Sequence, residues 1–325
     1  MRVRRGPATV TGLLSGPGAR SPTAREEHRP TEDGDGSTAH RCPGAPGVIS
    51  FVGAGPGAAD LLTLRGARRL AEADVVVWAS SLVPAEVLEH CRPGAVVHDS
   101  AGMTLEDVLA VYAAHDGAAV VRLHSGDVSV YSSLTEQTAW CRATGRAFEV
   151  VPGVGSLAAA AATAGVELTV PGVAQAVALT RLGGGRTAAS MPAGASVAEL
   201  ARAAAAQGAT TAVYLSAGRP AALRDELLAG YAPDTPALVV AKASWPDEVV
   251  LRTTVDGLTD ALAAAGIRTV ALVVVGPALA ATLDGGEPAA RSRLYDPAYS
   301  HGCRRRSAEG STAGRPIPVA KRRVP

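Results

Sequence analysis

Three short stretches of this chain hold residues whose types and spacing suit ligand chemistry. The first is FVGAGPGAADLLTLRGA, Phe51 to Ala67, where an apolar strand breaks into Gly53, Gly55 and Gly57 and then resumes with helical spacing. Glycines this close together let a bound molecule approach the main chain. The turn departs from a dinucleotide fingerprint, because Ala58 stands where a third glycine belongs and Pro56 removes a donor that a pyrophosphate needs. It therefore points to another ligand. In the second stretch, VVRLHSGDVSVYSSLTEQ (Val120 to Gln137), an apolar strand delivers Ser125, Gly126 and Asp127 to its carboxyl end, where ligands of open α/β sheets collect. Asp127 either meets a cation or a hydroxyl there, or caps the helix that follows. In the third, FEVVPGVGSLAAAAA (Phe148 to Ala162), a tight turn leads through Ser156 into a small-residue helix that Ser156 is suited to cap. A Gly-x-Ser-x-Gly elbow is missing, so a hydrolytic triad has no support.

The elements that must position these turns follow from the texture of the chain. From Val48 on, short β-branched runs alternate with Ala- and Leu-rich stretches of helical period: VISFVGAG, Asp60 to Ala73, VVVWASSLVP, Pro84 to His90, AVVHDS, a helix around Thr104 to Ala114, and AAVVRLHSGD. Each crossover between parallel strands calls for a helix, so this rhythm predicts a wound α/β sheet with mainly parallel strands. Beyond the turn at Pro152-Gly153 a second set of strands is expected at Gln175 to Arg181, Thr211 to Ser216, Ala237 to Ser244, Val249 to Val255 and Val270 to Val275. Several follow one another with no helix between, which predicts a mixed second sheet. The expected organisation is an extension over 1–47 without hydrophobic periodicity and therefore disordered, an α/β domain over 48–152, a second over 153–304, and a basic flexible tail over 305–325. The cleft between the two domains is the default ligand site.

Composition narrows the function further. The chain has 325 residues with a formal net charge of +1 and 3% aromatic residues, which favours neither a nucleic-acid groove nor a platform for stacked bases. Its four cysteines, Cys42, Cys91, Cys141 and Cys303, form no Cys-x-x-Cys pair, so the reading is free thiols in a reducing cytoplasm, with no metal site. His98, His115 and His301 are read as structural or solvated. No apolar run approaches the roughly 20 residues needed to cross a bilayer.

Together these stretches resemble the tetrapyrrole methylase family, whose members share the series GAGPG, then R-L-x-S/T-G-D, then V-P-G-V. More narrowly, VVVWASSLVP (Val75 to Pro84), ELTVPGVAQAVALTR (Glu167 to Arg181), DTPALVVAKASWPDEVVLRTTV (Asp234 to Val255) and SRLYDPAYSHGC (Ser292 to Cys303) are similar to the branch that methylates C11 of precorrin-4 in cobalamin biosynthesis. The likeness runs from about Val48 to Arg304. The chain departs from the family pattern at Val128, Ser132, Gly155 and Cys303, where proline, glycine, a hydroxyl residue and an aromatic are usual.

The resemblance implies a two-domain α/β fold and S-adenosylmethionine held in the interdomain cleft. It implies that Pro56 borders the substrate trough, that Ser125, Gly126 and Asp127 meet the donor's amino acid or ribose part, and that Val130 and Tyr131 lie beside it. Gly155 and Ser156 follow the hinge, while Leu215, Ala243, Thr253 and Thr254 hold the adenosine. The partner it implies is a small-molecule tetrapyrrole rich in carboxylates, for which Arg65, Arg122, Arg181, Lys242 and Arg252 are the candidate cations. His124 and Asp127 are candidates, by location, for a proton acceptor. Family members are commonly homodimers. The alternatives are methylation at C2/C7 or C20, a nicotinamide-dependent oxidoreductase with Asp74 near the offset of a ribose partner, and a non-catalytic ligand sensor.

Overall fold

The computed structural model describes residues 47–184, 191–192, 194–283 and 291–307. Nearly all of the expected extension, Cys42, and the tail from 308 onward lie outside the described residues. The first set of β-branched runs becomes β1 (Val48–Gly53), β2 (Val75–Trp78), β3 (Val96–Asp99), β4 (Val120–His124) and β5 (Ala147–Val151). They form one sheet in the order β3-β2-β4-β1-β5, and every pairing is parallel. Side chains alternate between its faces. Val52, Val76, Val121, Leu123 and Val151 pack under α1 (Leu64–Glu72), whereas Ile49, Phe51, Val75, Val77 and Val120 pack under α2 (Leu105–Ala114) and α3 (Leu134–Thr144).

The helix expected over Asp60 to Ala73 divides into a 3₁₀ turn at Ala59–Leu61 and α1. Thr63 makes the break: its backbone is extended and its hydroxyl accepts from Gly66 N at 3.1 Å, which restarts the helix as an N-cap. Pro84 to His90 is also 3₁₀, over Ala85–His90. At α2 the reciprocal bonds between Thr104 and Asp107 form a capping box.

The second sheet has the order β6-β7-β10-β8-β9, built from β6 (Val177–Arg181), β7 (Thr210–Tyr214), β8 (Pro236–Ala241), β9 (Val249–Thr254) and β10 (Ala271–Val275). Only β6 and β7 pair in parallel and the other pairings are antiparallel, so the sheet is mixed, as its spacing predicts. One face packs on α5 (Val197–Ala206), α6 (Pro220–Leu227) and α7 (Leu258–Ala264); the other packs on α4 (Ser156–Ala164) and α8 (Pro277–Leu283). Strand β8 stops three residues earlier than its apolar run suggests, because Lys242 and Ser244 take left-handed backbone angles (φ 50° and 66°). Among the described residues no helix is long and apolar enough to cross a membrane.

Three glycines bring the strand ends of the first sheet together. A Cβ on Gly153 would stand 2.3 Å from Gly126 O and 2.7 Å from Gly53 Cα, and one on Gly53 would stand 2.6 Å from Gly153 Cα. These neighbours are backbone and have no rotamer to yield. Gly153→Ala is therefore expected to cost about 1–3 kcal/mol or more by overpacking. Gly102→Ala, at an exposed turn with nothing within 4 Å, is expected to stay within about 0.5 kcal/mol. Urea unfolding of both variants checks this, and equal midpoints would contradict it.

Candidate functional site

The carboxyl edges of the two sheets face one another. In the second sheet β6, β7 and β8 run in the same sense, so Arg181, Tyr214 and Ala241 end on one edge. From the first sheet, the loop after β4 lays the Tyr131 ring against Tyr214 (centroids 5.2 Å apart, 61° between planes), with the Arg181 guanidinium 5.7 Å from the Tyr131 ring centre. The loop after β1 meets the turn after β8. Trp245 Nε1 donates to Pro56 O at 2.9 Å and Ala58 N donates to Ser244 Oγ at 3.0 Å. Gly57 is glycine because a Cβ there would lie 2.2 Å from Trp245 Cδ1. A cavity of about 280 Å³ opens beside this contact, between Gly57–Ala59, Pro84 and Glu86 on one side and Ser244–Pro246 on the other.

Backbone strain gathers on the same edges. Tyr131 and Ser133 after β4, Leu215 after β7, and Lys242 and Ser244 after β8 all have positive φ between 50° and 66°. Each such residue costs about 1–3 kcal/mol, and such residues cluster where a ligand clamp must be shaped. Leu215 is also 62% exposed, an apolar side chain held out at the seam. The strained turn at 242–248 is braced from within. Lys242 pairs with Asp247, and Glu248 Oε2 accepts from Ser244 N at 2.6 Å and from Thr163 Oγ1, on α4, at 3.0 Å.

Gly126, Asp127, Gly155 and Ser156 come together at the head of the first sheet. Gly55 and Gly126 exchange backbone bonds of 3.2 and 2.7 Å, and an added Cβ on Gly126 would lie 3.7 Å from Ser156 N. Asp127 ties the β4 loop to the β5 loop: its Oδ2 accepts from Gly153 N at 2.9 Å, and its Oδ1 from Ser129 N at 2.9 Å and from the Ser129 hydroxyl. Burial by itself would raise its pKa, but these bonds outweigh it and hold the carboxyl below its ordinary value. Asp127 does not cap α3, which begins seven residues later behind Ser133. Nor does Ser156 cap α4; it is the first helical residue, and Gly155 is the cap, without a side-chain bond.

Of the other expected site residues, Ser125 is exposed, Val130 is half-buried and Ala243 is 8% exposed beside the Gly57 turn. Pro56 is buried at the seam with its carbonyl bound to Trp245. Thr253 and Thr254 do not belong to this edge. Because β9 runs antiparallel to β8, Thr254 pairs with Pro236 at the start of β8, roughly 17 Å along the sheet from Ala241. Thr254 Oγ1 instead accepts from Gly257 N at 3.2 Å, just before α7. Arg252 is likewise displaced, since its guanidinium donates to Ala164 O at 3.3 Å at the far end of α4. Lys242 is held within its own turn, Arg65 is exposed on the first turn of α1, and Arg181 stands on the seam edge.

His124 is 6% exposed, its Nε2 has no hydrogen-bond partner among the described residues, and its ring lies 6.0 Å from that of Phe51 under α2 and α3. Burial first, and the Arg122 charge second, push its pKa down to about 3 against a smaller opposing backbone contact at Ser132. A buried, neutral imidazole this reluctant to protonate is poorly placed as a proton acceptor. Trp245, Ser244 and Tyr214, which join the two edges, were not among the residues expected from sequence; the Trp-Pro pair in ASWPDE, directly after a strand, is the signal that marks the turn. Since the folded pKa of His124 is depressed, its contribution to stability is complete above about pH 6.5 and is lost as pH falls toward its folded value. Its imidazole NMR resonance is expected not to titrate between about pH 8 and about pH 5, with the urea midpoint falling below about pH 6.5. Titration near 6.5 would contradict the buried, neutral assignment.

Comparison with known proteins agrees with this architecture. The profile of the family described as Tetrapyrrole (Corrin/Porphyrin) Methylases matches residues 48–259. The chain is 46% identical over 236 residues to a precorrin-4 C(11)-methyltransferase of Rhodococcus erythropolis, covering 72% of this chain and 92% of that one. It is 41% identical over 260 residues to a cobalt-precorrin-4 C(11)-methyltransferase of Priestia megaterium, covering 79% and 97%. Among solved structures, a cobalt precorrin-4 methyltransferase superposes with a TM-score of 0.67 at 41% identity, covering 71% of this chain and 95% of that one. The uroporphyrin-III C-methyltransferase of Thermus thermophilus, complexed with S-adenosyl homocysteine, gives a TM-score of 0.59 at 30% identity, covering 72% and 99%. With its glycine junction, its parallel and mixed sheets and these likenesses, the chain belongs to the tetrapyrrole (corrin/porphyrin) methylase family.

Proposed function

We propose that this protein transfers the methyl group of S-adenosylmethionine to C11 of precorrin-4, or of its cobalt-bearing counterpart, in cobalamin biosynthesis. The observation that carries the reading is the meeting of the two carboxyl edges, with glycine-lined loops on one side and strained, partly apolar turns on the other. The names of the relatives favour C11 over C2/C7 or C20, which the same seam would serve. A homodimer belongs to the same reading through the family resemblance, a cytoplasmic setting through the pattern of its cysteines, and domain limits near 48–152 and 153–304 through the turn at Pro152-Gly153.

The residues present suit such a donor. The first N–H groups of α4, from Ser156 on, have no partner within the helix and offer donors to its amino acid part, and Asp127 adds a carboxylate. The exposed Leu215 and the Tyr131–Tyr214 ring pair offer an apolar wall to a flat base. When bound, the donor supplies an activated sulfonium methyl. The protein's part is to hold two reactants about 3–3.5 Å apart in line, which by itself supplies much of an acceleration. Neither His124, buried and neutral, nor Asp127, engaged by three hydrogen bonds, is arranged to take a proton.

A nicotinamide enzyme fits less well. The helix after the glycine turn starts only at Leu64, so its N-terminus is not where a pyrophosphate would sit. Asp74, the would-be ribose partner, pairs with Arg92 and accepts from Ala119 N at 2.8 Å. Calorimetric titration separates the two readings. S-adenosylhomocysteine is expected to bind at about micromolar affinity or tighter and NADH not at all, and Asp127→Ala is expected to weaken the former by roughly tenfold. Binding of NADH in place of S-adenosylhomocysteine would overturn the reading, and an unchanged affinity in the variant would remove Asp127 from the donor site.

A further inference from the structure

Arg122 is a cation in a place where folds seldom leave one unpaired. It sits on β4 at the level of Val77 on β2, which pairs with His98 on β3. Its Nη1 nevertheless donates to Ser100 Oγ at 2.6 Å, two residues beyond His98, so the side chain climbs toward the carboxyl edge on which the ligand loops stand. Ser100 Oγ in turn donates to Trp78 O at 2.8 Å. The remaining donors of the guanidinium have no hydrogen bond among the described residues, and Nε is buried without a partner.

Leaving a largely buried charge without a counter-ion is costly, and a guanidinium does not escape the cost by losing its proton. Burial lowers the guanidinium pKa, and Tyr112, whose charge acts on it, and His124, on which it acts, carry no negative charge at neutral pH. In the same lobe Arg69, Arg92 and Arg146 are answered by Glu149, Asp74 and Asp116, and Arg65, Arg68 and Arg142 are exposed to solvent. Arg122 is paired with no carboxylate among the described residues. A planar fork that reaches toward the carboxyl edge with donors to spare suits a carboxylate.

We infer that Arg122 is the docking point for one carboxylate arm of the tetrapyrrole, received beside Ser100 at the ends of β3 and β4, and that this grip sets which edge of the macrocycle faces the methyl donor. The inference rests on the tetrapyrrole reading and adds a specificity-determining contact to it. Arg122 touches the substrate's periphery and takes no part in bond making.

The test compares wild type, Arg122→Gln and Arg122→Lys in three readouts: KM for precorrin-4, affinity for S-adenosylhomocysteine, and binding of a tetrapyrrole whose carboxylates are methyl esters. Arg122→Gln is expected to raise KM on the order of tenfold or more, with Arg122→Lys recovering part of the loss. Affinity for S-adenosylhomocysteine is expected to stay within about twofold, and the esterified tetrapyrrole to bind wild type and Arg122→Gln alike. An unchanged KM in Arg122→Gln overturns the inference. So does a parallel fall of donor affinity and melting temperature in both variants, which would make Arg122 a brace for Ser100. A wild type that binds neither S-adenosylhomocysteine nor the tetrapyrrole would instead defeat the methyl-transfer reading itself.

Discussion

Backbone contact between Gly53, Gly126 and Gly153 is the constraint on which the rest of the structure depends. Three parallel strands end in loops that touch with no side chain between them, closer than any Cβ permits. Only at that spacing can Asp127 reach across to Gly153 N, and only then do Gly55 and Gly126 exchange their two backbone bonds. The same closeness fixes the direction in which the first glycine loop leaves the sheet, and so presents the Pro56 carbonyl to Trp245. A turn that reads as a place where a ligand approaches the main chain is therefore largely occupied by the protein's own backbone and by an indole.

The second consequence concerns charge. The seam is joined by a handful of polar bonds and ring contacts, while the sheet beneath it holds a buried, neutral imidazole and, two residues away on β4, a largely buried guanidinium with no counter-ion among the described residues. Each is understandable through the other. Arg122 helps to keep His124 unprotonated, and His124 in turn offers Arg122 no counter-ion. Strain follows the same logic, because left-handed residues stand at the ends of β4, β7 and β8, and the turn at 242–248 spends an ion pair and two hydrogen bonds to Glu248 on keeping its shape.

Much of this was legible in the sequence, for definite reasons. Strand and helix rhythm predicted a parallel first sheet and a mixed second one, because crossover length separates parallel from antiparallel neighbours. Gly126, Asp127, Gly155 and Ser156, which the family resemblance singles out, lie together because strand-end turns of one parallel sheet share an edge. Thr253 and Thr254 were misplaced for the complementary reason. In an antiparallel sheet the edge to which a strand end belongs depends on register, and nothing in RTTV states that β9 returns away from Ala243. Arg252 went astray with them. Trp245 escaped notice because its importance comes from Gly57, 188 residues earlier, which has no side chain to advertise the contact. The buried state of His124 was hidden because its neighbours, Phe51 and the helices over it, come from separate parts of the chain.

The account joins a glycine-built junction, a strained facing edge and an anchored macrocycle into one claim, that the seam delivers a sulfonium methyl to a single ring carbon. The most direct measurement is to incubate the purified protein with precorrin-4 and S-adenosylmethionine carrying a carbon-13 methyl group, and to locate the label by NMR. The account predicts a single new labelled methyl at C11. Label at another ring carbon, or distributed over several, would contradict it.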